Sequence, residues 1–162
     1  MYTSEVLEIL KQTEAILQFQ HFDQEDAYRL GTILRQAGMA GEQPAAVRVV
    51  LDDLIVYQSF PNGTTAENGE WMNRKYATVV DNRSSSLRAL AERELFGVRE
   101  AWQSDEEGHA FCGGGFPIVV NGEFRGVALV SGLPHLEDHA LLVRGLSVYL
   151  GRAVPELPAI EE

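Results

Sequence analysis

Apolar residues Val6, Ile9, Leu10, Ile16 and Leu17 recur at helical spacing and predict a helix over 4–19, with Thr3 or Ser4 as its N-cap. A second helix is expected from Asp23, a capping residue, with Phe22 before it packing on Ala27 as a hydrophobic staple. Ala27, Leu30, Ile33, Leu34 and Ala37 form its apolar stripe, and Gly38 and Gly41 end it. The period then changes. "AAVRVVLDDLIVYQSF" has β-branched runs on either side of Asp52-Asp53 and predicts a hairpin, closed by Pro61-Asn62-Gly63. Helical spacing returns in "ENGEWMNRKYATVVDN", and again from Ser84 to Phe96, where Gly97 stops it. Residues 98–110 follow neither period. "FPIVVNGEFRGVALVSG" is a second hairpin, because Asn121-Gly122 supplies the positive φ that a type I′ turn needs. A last helix runs from about Pro134 to Arg152, with Leu141, Leu142, Leu146 and Leu150 on a broad apolar side.

The order is ααββααββα. Helix runs separated by hairpins, in place of alternating βαβ units, make this an α+β fold: an antiparallel sheet with helices packed on it. Nothing divides the chain, so one domain is expected over 1–154, with its N-terminal helix inside residues 1–21. The remainder, 155–162, reads "PELPAIEE" and is expected to be a disordered acidic tail, since proline cannot continue a helix. A sheet of this kind has edges to cover or pair, and homo-oligomerisation is one route.

Charge narrows the function classes. The chain has 13 Lys and Arg against 24 Asp and Glu, a net charge of −11. That excess opposes nonspecific nucleic-acid binding and docking on anionic membranes. No run is long and apolar enough to span a bilayer, and the N-terminus lacks the basic region of a signal peptide. A cytoplasmic protein with neither nucleic-acid nor membrane partners is the simplest expectation. Cys112 is the sole cysteine, so no internal disulfide can form.

Candidate chemistry concentrates in "SGLPHLEDH", residues 131–139, at a strand-to-helix junction. One account is structural: Gly132 permits the turn, Pro134 suits the first helical turn, and Glu137 and Asp138 suit the positive end of the macrodipole. The other is functional. A helix N-terminus can hold a carboxylate or phosphate, Ser131 adds a hydroxyl, and Arg74 or Lys75 from another helix start would complete an anion pocket. The alternative for Arg74-Lys75 is a solvated face paired with Glu70 or Asp81. His135 and His139 lie four apart, hence on one helical face as in two-histidine metal sites. A third ligand would have to come from His109 or Cys112, and no metal site is assigned. His139 as a haem axial ligand stands beside a capping or surface role. Cys112, beside Gly113–Gly115, reads as a buried small hydrophobe. The glycines lack the Gly-Lys-Ser/Thr ending of a phosphate loop. No catalytic constellation is visible.

The motifs "FPNGTTAENGEWMNRK" and "GGGFPIVVNGEFRGVALVSGLPHLEDHALLV" resemble a family of uncharacterised small proteins related to the haem-degrading HbpS/GlcG-like domain. The resemblance runs from about Phe22 to Leu150. It implies a profilin-like domain that assembles into homo-oligomers, and it implies haem as a possible cofactor for some relatives. The motif positions it carries over are Trp71, Arg74, Lys75, Gly115, Phe116, Pro117, Ser131, Gly132, Asp138 and His139. Taken with the residue reading, the expected ligand-binding set is Trp71, Arg74, Lys75, Phe116, Ser131, Gly132 and His139. The expected function is an oligomeric binding or assembly module for a small anionic or haem-like ligand. A haem-degrading enzyme and a protein-interaction adaptor are the alternatives.

Overall fold

The computed structural model describes residues 1–162. Five helices and four strands follow the expected order: α1 (Ser4–Ile16), α2 (Gln24–Met39), β1 (Ala46–Leu51), β2 (Leu54–Ser59), α3 (Ala66–Asn82), α4 (Ser86–Phe96), β3 (Gly115–Val120), β4 (Glu123–Ser131) and α5 (His135–Leu150). The strands form one antiparallel sheet in the order β2-β1-β4-β3. No helix is long and apolar enough to cross a membrane.

Alternation along the two central strands builds three layers. Val47, Val49 and Leu51 of β1 join Ala128 and Val130 of β4 on the face covered by α2 and α5. Ala46, Val50, Val127 and Leu129 point the other way, onto Met72 and Val79 of α3. With both faces covered, every residue of β1 is buried, which is why this strand reads as a nearly unbroken apolar run. Its one charge, Arg48, is held by Gln58 and by Asn73 of α3.

Both hairpins are made by their turn residues. Asp52 and Asp53 adopt φ of 51° and 64°, and Asn121 and Gly122 adopt 50° and 80°, the signature of type I′ turns. Asp23 caps α2 through a reciprocal box with Asp26. Helix α1 stops at Ile16 and not at residue 19. The chain beyond it turns to the sheet, where Phe19 donates to Val119 O and accepts from Asn121 N, covering the β3 edge. The β2 edge has no such cover, and Leu54 and Ile55 are exposed on it.

Helix α1 docks within the chain. Val6, Leu7 and Leu10 pack on Leu87, Leu90 and Ala91 of α4. Residues 155–162 form no helix or strand, but they lie against this same cluster through Leu157 and Ile160. Glu162 accepts from Tyr2 Oη at 2.6 Å and pairs with His135 Nε2 at 2.6 Å.

Candidate functional site

Helix α3 crosses the C-terminal end of β4 with Trp71, Arg74, Lys75 and Thr78 on one face, the 3- and 4-residue spacing of a helical stripe. That face forms one wall of an open cavity of about 590 Å³. Its floor is the β4–α5 junction, with Ser131, Gly132, Leu133, His135 and Asp138. Its far wall is Arg93 of α4 with Glu106, His109, Ala110, Phe111 and Cys112. Trp71, Arg74, Lys75, Ser131 and Gly132, anticipated from separate motifs, are thus brought together.

Arg74 and Lys75 lie in mid-helix, not at a helix start, because α3 begins at Ala66. Their fates differ. Lys75 is 2% exposed; its ammonium donates to Asp138 Oδ2 at 3.0 Å and to Val130 O at 2.8 Å. Neither Glu70 nor Asp81 is its partner. Burial pushes the Asp138 carboxyl up, and the Lys75 ammonium opposes it. Asp138 Oδ1 also accepts from Leu133 N at 3.0 Å, which fixes the turn leading into α5. No side chain caps α5 itself, whose N-cap is Pro134. The glycines of "GGG" make room here: a Cβ at Gly114, which has φ of 123°, would run into Lys75 Nζ and Val130 O.

Arg74 has no carboxylate partner. Its guanidinium lies over the Trp71 ring, 4.0 Å from the centroid, a contact worth about 0.5–1 kcal/mol at an exposed site. Across the cavity Arg93 lies over Phe111 at 3.8 Å, but its Nη1 already donates to Glu106 and to Gln103 O. Asn68 Nδ2 donates to Ser131 Oγ at 3.3 Å. The cavity therefore offers one cation without a counter-charge at its rim, and a hydroxyl and a neutralised ion pair at its floor.

The far wall comes from the stretch that followed no period. Its order is largely long-range: Thr78 Oγ1 donates to Ala110 O, Ala110 N donates to Arg74 O, and distant Asp81 joins the neighbouring Asp105 in gripping His109. Trp102 stacks on Phe111. Three aromatic rings in an acidic loop were the only hint in the sequence. Cys112 lines the cavity as a partly buried thiol and is not a core residue; burial pushes its pKa up.

Phe116 and His139 lie elsewhere. Phe116 is a core residue, 1% exposed. His139 is 4% exposed, sits 6.3 Å from the Phe116 ring, and is pushed down to about 4 by burial. It is neither a capping nor a surface histidine. His135 and His139 do not act as a pair: at the first turn of α5, His135 turns to the cavity and accepts from Gly113 N, while His139 faces the interior.

The match to known proteins covers this whole arrangement. Residues 22–147 match the family described as haem degrading protein HbpS-like. The chain belongs to the HbpS-like family. Among family relatives, a UPF0303 protein of Brucella anthropi is 32% identical over 162 residues, covering 96% of this chain and 94% of that protein. Among solved structures, the Ybr137w protein superposes with a TM-score of 0.80 at 25% identity, over 90% of this chain and 87% of that one. A PduOC:haem complex superposes with a TM-score of 0.68 at 15% identity, over 78% and 93%; at that identity it shares the fold.

Proposed function

We propose that this HbpS-like protein is a binding module whose main cavity takes a small organic acid. The carboxylate rests on Arg74, and the apolar body lies against Ala110, Phe111 and Leu133, which line the same space. The observation that carries this reading is the unpartnered Arg74 guanidinium in a chain with a net charge of −11. The other two cations that line the cavity have their acids: Lys75 has Asp138 and Arg93 has Glu106. Positive charge left free at the mouth of a cavity draws an anion and strengthens its hydrogen bonds there.

Family membership, and a haem complex among the structures of the same fold, support a haem-related ligand as a second reading. The cavity fits part of haem. Arg74 suits a propionate. The residues do not fit iron held by histidine, because His109 and His135 both have each ring nitrogen engaged, and His139 is outside the cavity. Cys112 Sγ is the remaining soft donor, and its raised pKa opposes the thiolate that a metal needs.

Homo-oligomerisation belongs to the same proposal. The uncovered β2 edge with exposed Leu54 and Ile55 is the surface that supports it. Light scattering tests it: a mass above one chain at micromolar concentration is expected, and a constant monomer mass refutes it.

The ligand test is calorimetric titration of the full chain with benzoate, beside absorbance titration with haemin, in wild type and Arg74→Ala. The acid-binding reading expects benzoate binding that weakens in the variant. Benzoate binding that ignores the substitution overturns it. Haemin binding with a thiolate-type spectrum, lost in Cys112→Ala, favours the second reading.

A further inference from the structure

A second cavity, of about 460 Å³, lies on the far side of α5 from the first. That volume is within the roughly 300–1,000 Å³ typical of small-molecule sites. Helix α5 contributes Leu136, His139, Val143 and Ser147, spaced along one helical face, and Leu10 and Thr13 of α1 oppose them. Val154, Pro155 and Leu157 close the groove as the chain leaves α5.

Exposed Arg144 and Glu156 also line the groove, one charge of each sign, and two buried polar atoms of its lining are unpaired. His139 Nδ1 and Ser147 Oγ are buried and have no hydrogen-bond partner. An unsatisfied buried polar group costs about 1–3 kcal/mol, so leaving two in one groove is unexpected unless something else satisfies them. The rest of the chain does not behave this way: the only other such side-chain atom is Arg88 Nε, on α4. The ring of His139 is held near a pKa of about 4 by burial and by His135, so it is neutral at pH 7. A neutral imidazole in an apolar groove hydrogen-bonds a hydroxyl or carbonyl group and gives no ion pair to a carboxylate.

We propose that this groove between α1, α5 and residues 153–157 is a second binding site, for a slim, uncharged molecule with an apolar body and one hydroxyl or carbonyl group that bonds to His139. Leu10, Leu136, Val143 and Leu157 cover the body, and Ser147 offers a further contact along the groove. The site differs in chemistry from the Arg74 cavity and does not depend on its reading: one is built around a cation without a counter-charge, the other around a neutral imidazole in a lining that carries one charge of each sign.

Three probes of one shape separate the possibilities: 1-naphthol, naphthalene and 1-naphthoate, titrated into the full chain at pH 7 and followed by amide chemical shifts. Binding of 1-naphthol is expected to exceed that of the other two by about tenfold, the scale of one hydrogen bond to an otherwise unsatisfied buried group. Shifts should centre on Leu10, Val143 and Leu157. His139→Leu, which keeps an apolar filling, should erase the advantage over naphthalene. Val143→Trp should block all three by occupying the groove, and the wild-type shift map stands even where that variant folds poorly. The proposal is overturned if 1-naphthol does not bind, if naphthalene or 1-naphthoate binds as well, if His139→Leu keeps the preference, or if the shifts centre on Trp71 and Phe111.

Discussion

The floor and the rim of the main cavity use adjacent cations in opposite ways. Lys75 is buried and has a carboxylate, a carbonyl and no freedom; Arg74, one residue earlier, lies on a tryptophan ring with its donors unclaimed. A buried charge has to be matched inside the chain, so the floor is a matter of stability. A charge at a solvent-facing rim need not be matched, so the rim is free for a ligand. The two residues share a helix, a motif and a sign of charge, and only burial sets them apart.

This contrast can be broken most severely at the floor. Asp138→Asn leaves Lys75 buried without its counter-charge and should lower unfolding stability by roughly 3–5 kcal/mol in urea titrations. Lys75→Met combined with Asp138→Leu should recover much of that loss, because an apolar pair can replace a buried ion pair. A small effect of Asp138→Asn would mean that the floor is not the rigid element described.

At the rim the sign reverses. Arg74→Ala should cost less than about 1 kcal/mol of stability, the loss of one cation–π contact, yet weaken benzoate binding by roughly 1.5–3 kcal/mol, the scale of a hydrogen bond to a charged group. Equal losses in both measurements would erase the distinction between floor and rim.

Buried charge elsewhere sharpens the comparison through pH. Burial pushes Glu14 from 4.5 up to about 7 despite Arg88 and Ser85. The native state then holds a proton that the unfolded chain releases, so this contribution is present below pH 4.5 and is lost as pH rises to about 7. His139 falls from 6.5 to about 4. Its contribution is present above pH 6.5 and is lost as pH falls to about 4, because the unfolded chain takes the proton first. The two slopes oppose each other over the shared window. Glu14→Gln should leave stability rising with pH there, and His139→Leu should leave it falling; unchanged slopes in chemical denaturation would contradict both assignments. The smallest effect is expected from Ser131→Ala, about 0.5–1.5 kcal/mol in benzoate affinity, since a neutral hydroxyl is the weaker donor.

Much of the fold was legible because local residues decide it. Asn121-Gly122 and Asp52-Asp53 dictate their turns, and Asp23 dictates a helix start. The end of α1 was not legible, since Phe19 leaves the helical pattern to pair with β3, a strand far away in the chain. The site divides likewise. Trp71, Arg74, Lys75, Ser131 and Gly132 lie in two readable motifs that the sheet brings together. The far wall could not be read, because Asp81, Arg74 and Thr78, all distant in the chain, hold His109 and Ala110 alongside the local contact to Asp105. His139 shared a motif with these residues but faces the other side of α5, a difference of one residue in helical phase from Asp138.

The central claim is that Arg74 is the anchor for an acid in the main cavity. The direct measurement is a crystal structure with 4-bromobenzoate, with the bromine located by anomalous scattering. The account predicts the carboxylate within hydrogen-bonding distance of the Arg74 guanidinium and the bromine directed toward Phe111 and Leu133. Bromine found only outside this cavity, with Arg74 still lying unpaired on Trp71, would contradict it.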